Sequence, residues 1–382
     1  MNEIMDRLWV KAGEQGIPLT AAFELLPVCN LQCRMCYVRK GWEEVRAAGG
    51  LLSAEHWLEI ARRSREQGLL YITLTGGEPL LHPEFRYIYR ELQQMGMQVS
   101  INTNGTLIDS DMAAFFGANP PMRINLTLYG ASAATYERLC GNGAAFEQMR
   151  RGVAALKEQG VLLKFNASMT PENIDDLDDM MAYRQSVDVP IQIATYMFPP
   201  YRRDPSQIGY NDRLSPQEAG VAKVRADYLQ NDKEWFVMQA YRFSHFVDPA
   251  SVDLTPPEGE ALGMTCRAGH CSLWLNWQGR MSNCGMYESV IVPITDGGVK
   301  AAWEQLREKT HAIRYAPGCM ACPNRFLCHS CIAMIHNECG DLQGAVPRYV
   351  CEMNRTAARV YREYAERYYP EEARKIFEKN MA

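Results

Sequence analysis

The chain has 382 residues, of which 47% are hydrophobic and 22% charged, with a formal net charge of −5. That is enough chain to bury a full core in about two domains, and the acidic balance argues against a nucleic-acid binder. Residues 1–10 carry acidic side chains and no apolar run, and no stretch of about 18 apolar residues occurs, so neither a signal peptide nor a transmembrane helix is expected. A cytoplasmic protein follows, and in a reducing compartment the 13 cysteines read as metal or redox chemistry, not as a disulfide framework.

After an N-terminal segment, 1–17, the chain alternates β-like runs with helical patterns up to about residue 200. Strands are expected over 18–26, 69–74, 98–101, 123–128, 162–167 and 190–196. The stretch 83–95 is predicted helical, because Pro83 suits a first turn and Phe85, Ile88, Tyr89, Leu92 and Met95 share one face, with Gly96 as its stop. Phe146, Met149, Val153 and Leu156 mark another helix, ended by Gly160. About six such alternations with right-handed crossovers predict a parallel sheet, closed or partly closed, with helices outside. Ligands in such folds sit at the C-terminal ends of the strands. Cys29, Gly76 to Pro79, Asn102 to Gly105 and Tyr129-Gly130 all follow strand ends and should share one mouth.

Residues 201–260 are proline-punctuated and read as a bridging region, with a helix expected over 216–228. Cysteines dominate 261–355. The end is helical from about residue 352, broken at Pro370, which makes 356–382 a C-terminal helix.

Eleven of the 13 cysteines fall into two groups. In the first, Cys29, Cys33 and Cys36 offer three thiolates within eight residues, with no fourth Cys or His close by. They suit a four-iron cluster with one open iron, a substrate site and not a staple. A partial zinc site is the alternative on spacing alone. Cys29-x3-Cys33-x2-Cys36 followed by Tyr37 resembles the signature of the radical S-adenosylmethionine (SAM) superfamily, and Thr75-Gly76-Gly77-Glu78-Pro79 resembles that family's GGEP motif. The resemblance spans residues 18–200. It implies a partial (β/α)6 barrel and a [4Fe-4S] cluster whose open iron chelates SAM. It also implies electron delivery by a flavodoxin or ferredoxin, and cleavage of SAM to a 5′-deoxyadenosyl radical that abstracts a substrate hydrogen. Gly76, Gly77, Glu78 and Pro79 would bind the methionine amino group, with glycines allowing close approach and Glu78 offering a carboxylate. Tyr37, Asn102, Asn104 and Thr127 are further candidate cofactor contacts. Relatives often carry an arginine where this chain has Cys140; Arg138 lies nearby but out of register, and Cys140 reads as a buried unliganded thiol.

The second group is Cys266-x4-Cys271, then Gly279-x4-Cys284, then Cys319-x2-Cys322-x5-Cys328-x2-Cys331 and Cys351. By spacing alone, paired C-x2-C motifs suit zinc as well as iron. The pattern resembles the SPASM domain of peptide-modifying radical SAM enzymes, departing from it by one residue between Cys328 and Cys331. The resemblance implies two auxiliary [4Fe-4S] clusters, one on Cys266, Cys271, Cys284 and Cys331, the other on Cys319, Cys322, Cys328 and Cys351, with Cys339 left over. Full thiolate ligation would leave neither an open iron.

Enzymes with these two domains mostly modify peptides or proteins, for instance by thioether or carbon–carbon cross-links. A small-metabolite or cofactor-precursor substrate is the alternative. The sulfatase-maturing group carries an aspartate base after its third auxiliary cysteine, where this chain has Gly285. Only about 20 residues precede the first strand, where a peptide-recognition domain would need about 80, so a leader-dependent substrate is expected to need a separate recognition protein or another surface. The segment 196–204, with Tyr210, Asp212 and Arg213, is the candidate substrate wall, where Arg202, Arg203 and Arg213 could clamp a carboxylate. His270, His329 and His336 read as structural, Tyr287 and Glu288 as possible proton or hydrogen donors, and Trp274 and Trp277 as packing for a β-hairpin. No catalytic residue is assigned.

Overall fold

The computed structural model describes residues 3–200, 202–204, 206, 209, 212–255, 263–340 and 346–377. Nine strands form one sheet: β1 Thr20–Glu24, β2 Tyr71–Thr75, β3 Gln98–Thr103, β4 Arg123–Thr127, β5 Leu163–Ser168, β6 Ile191–Ala194, β7 Ser272–Leu275, β8 Met281–Cys284 and β9 Tyr287–Val292. Their order is β6-β5-β4-β3-β2-β1-β7-β8-β9. Strands β1 to β6 run parallel, with helices in the crossovers, and the two ends of the sheet are not paired to each other. The molecule is therefore an α/β partial barrel followed by a cysteine-rich C-terminal region.

Alternation along the strands sorts the side chains. Phe23, Leu74, Ile101, Leu126 and Phe165 are fully buried under the outer helices, where Trp57, Ile88, Phe116, Met149 and Met180 meet them. Each such side chain contributes about 1.5–3 kcal/mol relative to exposure. The opposite face is polar: Thr73 and Thr75, Asn102, Asn125 and Thr127, Asn166 and Ser168 line the barrel's inside.

The strands expected over 18–26 and 190–196 are shorter, because residues at both ends turn into loops. The helix expected over 83–95 runs Phe85–Gln94, after a Pro79–Leu81 single turn, and Gly96 ends it at φ +81°. The helix marked by Phe146 runs Ala144–Glu158, and that expected over 216–228 runs Pro216–Gln230.

Three features differ from the chain-order reading. First, residues 3–15 form a helix whose Trp9 stacks on Tyr71, with ring centres 5.6 Å apart, across the N-terminal end of the strands. Second, β7 pairs in parallel with β1, so the cysteine-rich region extends the barrel sheet and does not begin a separate one. Third, the last long helix starts at Arg348 and so includes Cys351 in its first turn. With the helices Pro216–Gln230 and Lys233–Ser244 it encloses a second core around Phe236 and Tyr361. Among the described residues no helix is long and apolar enough to cross a membrane.

Candidate functional site

A cleft of about 400 Å³ opens at the C-terminal ends of the parallel strands. Cys29, Cys33 and Cys36 line it from the loop after β1; Thr75, Gly76 and Gly77 from β2; Asn102 and Asn104 from β3; Thr127 and Tyr129 from β4; Ser168 from β5. Met35, Val38, Met197, Phe198 and Met286 add an apolar wall. Of the strand-end residues singled out from sequence, Cys29, Gly76, Gly77, Asn102, Thr103, Asn104 and Tyr129 share one mouth, while Glu78, Pro79, Gly105 and Gly130 do not line it.

The two glycines have a specific steric role. A Cβ on Gly76 would lie 2.2 Å from the Leu26 carbonyl oxygen, and one on Gly77 would lie 2.3 Å from that of Val28. Gly77 N–H donates to Leu26 O at 2.8 Å and Glu78 N–H to Val28 O at 2.9 Å. The backbone that delivers Cys29 packs against these glycines, which also line the cleft. Side chains here would push the cysteine loop out of place.

Glu78 is fully buried and is not among the cleft-lining side chains. Its carboxylate accepts from Thr103 Oγ1 at 2.7 Å, Asn104 N at 2.8 Å and Leu80 N at 3.1 Å. Burial lifts its pKa to about 7 against the pull of these donors. Pro79 is also buried and opens the short turn that follows.

The sulfurs sit among N–H donors. Cys29 Sγ accepts from Leu31 N at 3.4 Å and lies 3.6 Å from Asn104 Nδ2; Cys36 Sγ accepts from Arg39 N at 3.3 Å. Burial pushes the Cys29 thiol up to about 12 and also raises Cys36. Cys33 is held low, first by the Cys140 thiol beside it. Cys140 is fully buried and outside the cleft. Arg138 pairs with Glu172 at 3.5 Å and stays outside it too.

The wall segment behaves otherwise than a substrate clamp. Arg202 is enclosed, 3.0 Å from Glu24 and 2.8 Å from Glu288, and its guanidinium lies 5.5 Å from the Tyr37 ring centre. Arg213 grips Glu338 and lies 3.7 Å from the Tyr349 ring centre. Asp212 pairs with Arg34 at 3.0 Å. Arg202 and Arg213 are thus matched inside the protein and Asp212 at its surface; Arg203 is exposed, and Tyr201 and Tyr210 lie outside the described residues. Glu288 is thus an ion-pair partner. Trp274 points into the barrel and donates Nε1 to Glu24 at 3.0 Å, where hairpin packing was expected. His270 bonds the Met264 carbonyl at 3.0 Å and His336 the Ser289 hydroxyl at 3.2 Å.

In the cysteine-rich region burial raises the pKa of Cys271, Cys284, Cys319, Cys328, Cys331 and Cys351, and neighbouring thiols add to it in two groups. Cys284 and Cys331 feel Cys266, as does Cys271; Cys319 and Cys328 feel Cys322 and Cys351, and Cys339 stands beside Cys319 and Cys351. Cys319, Cys322, Cys328 and Cys351 line one small cavity. Cys284 Sγ accepts from Met286 N at 3.3 Å and Cys331 Sγ from Met334 N at 3.4 Å. The missing spacer residue is absorbed at His329, whose φ is +47°, a left-handed conformation that histidine tolerates better than most residues. Among the described residues no three His, Cys, Asp or Glu side chains converge on a single metal ion. A single zinc draws its sulfurs to within about 4 Å of one another.

Tyr196, Met197 and Phe198, from the segment expected to form the wall, line the cleft, whereas Met286 and Ser168 were not foreseen there. Ser168 had a signal in its strand-end position; Met286 had none beyond its place two residues after Cys284.

Residues 23–183 match the radical SAM superfamily model, a match that supports an enzyme. It is similar to the AdoMet-dependent heme synthase of Methanosarcina barkeri (strain Fusaro / DSM 804), 22% identical over 337 residues, covering 85% of this chain and 94% of the relative. Its fold is similar to that of native anSMEcpe with bound AdoMet and Cp18Cys peptide, with TM-score 0.65, 18% identity and coverage of 94% and 99%. It is also similar to Streptococcus suis SuiB bound to precursor peptide SuiA, with TM-score 0.64, 14% identity and coverage of 91% and 80%.

Proposed function

We propose that the chain is a radical SAM peptide or protein maturase, with its active centre in the cleft at the strand ends. The observation that carries this is the convergence of Cys29, Cys33 and Cys36 with the ends of the parallel strands in one cavity. The residues fit the cofactors by their chemistry: three soft donors, N–H groups aimed at their sulfurs, and polar strand ends able to bond a nucleoside and an amino acid. Cys29, Cys33 and Cys36 would hold the [4Fe-4S] cluster, which would supply the electron for reductive cleavage of SAM and so the means of hydrogen-atom abstraction from the substrate.

The chain's own residues do the positioning. Gly76 and Gly77 seat the cysteine loop, and Glu78 and Pro79 fix the turn after β2 against the turn after β3. Asn102, Asn104 and Thr127 present side chains to SAM; Tyr37 closes the floor beneath Arg202. Met35, Val38, Met197, Phe198 and Met286 exclude water from the cleft. Cys266, Cys271, Cys284 and Cys331 would hold one auxiliary [4Fe-4S] cluster, and Cys319, Cys322, Cys328 and Cys351 the other, in a SPASM-type region. The likeness in fold to two proteins solved with bound peptides supports a peptide substrate, with a flavodoxin or ferredoxin as electron donor.

A second reading, a small metabolite or cofactor precursor as substrate, is favoured by the heme synthase likeness across most of the chain. Three measurements test the assignment, and the last separates the two readings. Reconstituted enzyme given SAM and a reductant should release 5′-deoxyadenosine, and Cys33→Ala should not. It should carry about 12 irons per chain, against about 4 if the C-terminal cysteines hold zinc. Co-expression with short peptides encoded beside its gene should then remove two hydrogens from one of them. Unchanged mass and chirality in every peptide would move the assignment to a small molecule.

A further inference from the structure

The inner wall of the barrel continues below the cleft, and its charge is uneven. Thr127, Ser168 and Ala194 line the cleft, so residues two and four positions earlier on the same strands face the same interior. On β4 these are Asn125 and Arg123, on β5 Asn166 and Lys164, and on β6 Gln192. Arg123 Nε donates to Asn125 Oδ1 at 2.9 Å, and Asn125 Nδ2 to Asn102 Oδ1 at 2.8 Å, in a ladder rising to the cleft. Lys164 Nζ bonds Gln192 Oε1. Among the described residues neither cation has a carboxylate within ion-pair distance; their partners are neutral amides.

The chain's net charge is −5, and Arg202 and Arg213 are each matched by a glutamate. Partial burial, and second to it the nearby Arg123, push the Lys164 ammonium below its ordinary pKa, as lost solvation and a like charge both do. The interior is open beside them: β6 is the last strand of the sheet, and Gln192 and Ala194 are exposed. The pair lies about 13 Å below the strand ends at about 3.3 Å per residue, the right distance for one end of a ligand whose other end reacts in the cleft.

We propose that Arg123 and Lys164 form an anion subsite that takes a carboxylate or phosphate group of the substrate, entering past the β6 edge. The inference rests on the reading of the cleft as the reaction chamber. It narrows the substrate class to anionic molecules: a peptide presenting an acidic residue or its C-terminus, or a small molecule with a carboxylate or phosphate.

The test uses full-length reconstituted enzyme and acetylation of lysines by an N-hydroxysuccinimide ester, read by peptide mass spectrometry. Rates are compared in chloride, inorganic phosphate and glutarate at matched ionic strength, with exposed Lys300 as the internal reference. Phosphate, glutarate or both should slow labelling of Lys164 several-fold relative to Lys300. Arg123→Gln should abolish that protection and Arg123→Lys should keep most of it. Protection by phosphate alone assigns a phosphorylated ligand; protection by glutarate as well admits a carboxylate. Lys164 tracking Lys300 in all three salts overturns the subsite. Release of 5′-deoxyadenosine, measured on the same sample, reports the radical reading separately, so either can fail without the other.

Discussion

The Glu78 carboxylate accepts the backbone N–H of Asn104 at 2.8 Å, which ties the end of β2 to the turn after β3 deep beneath the cleft. Because burial outweighs its three donors, the pKa rises from 4.5 to about 7. The folded chain therefore holds this proton more tightly than the unfolded chain does. The stability this group contributes is complete below about pH 4.5 and is lost as pH rises through about 7. In Glu78→Gln that part of the pH dependence should vanish. The variant should also lose about 1–3 kcal/mol near pH 7, because an amide nitrogen would face the Asn104 or the Thr103 donor. Thermal melts of the two proteins across this pH range check both statements, and an unchanged slope in Glu78→Gln would rule out the assignment.

Gly77→Ala should cost more than a left-handed glycine elsewhere. Its Cβ would sit 2.3 Å from the Val28 carbonyl oxygen, whereas a Cβ on Gly96 meets nothing within 4 Å. Gly96→Ala carries only the backbone cost of its φ of +81°, about 1–2 kcal/mol. Gly77→Ala adds an overpacking cost of about 1–3 kcal/mol and displaces the loop that delivers Cys29. The expected outcome is normal iron content after reconstitution in Gly96→Ala and reduced iron content in Gly77→Ala. Equal iron content in both would show that the glycine pair does not seat the cysteine loop.

The parts of this site that are legible in sequence are those written in local spacing. Cys29, Cys33 and Cys36 lie within one loop, and the apolar runs ahead of Gly76, Asn102 and Thr127 announce strands that end together. Contacts between distant segments leave no such mark. Arg202 reads as a free cation in a mouth segment, yet its carboxylate partner Glu24 is 178 positions away. The pairing of β7 with β1 is equally invisible, since a four-residue run at Ser272–Leu275 carries no indication of its neighbour. Glu78 could be recognised as special from its motif, but its direction, inward to Thr103 and Asn104 instead of into the cleft, depends on how closely two backbones approach. The shortened spacing between Cys328 and Cys331 is visible in sequence, while its solution, a left-handed His329, is a backbone event.

Arg202 should be far more important for stability than a surface arginine. Its side chain is 8% exposed and that of Glu24 is 1% exposed, so removing the cation strands a carboxylate whose pKa burial already raises. Arg202→Met should destabilise by about 3–5 kcal/mol, the range for breaking a buried ion pair from one side. Glu24→Gln combined with Arg202→Met should recover much of that loss, because no charge is left buried at β1. A double-mutant cycle by thermal unfolding measures the coupling. Additive losses would mean that the two side chains do not share the pair.

Gly285 bears on which reaction this chain can run. A Cβ at this position would lie 2.7 Å from Trp274 Cδ2, and the indole is held there by its 3.0 Å bond from Nε1 to Glu24. An aspartate therefore fits only if Trp274 swings away and gives up that bond. Gly285→Asp should cost about 1–3 kcal/mol by overpacking and shift the tryptophan fluorescence. It should not by itself confer oxidation of a sulfatase-type peptide. Trp274→Ala in the same chain should relieve the clash and restore part of the melting temperature lost, although Glu24 then loses a donor. A Gly285→Asp protein with unchanged stability and fluorescence would mean that the pocket accommodates the carboxylate, and the glycine would then cease to separate this site from an aspartate-based one.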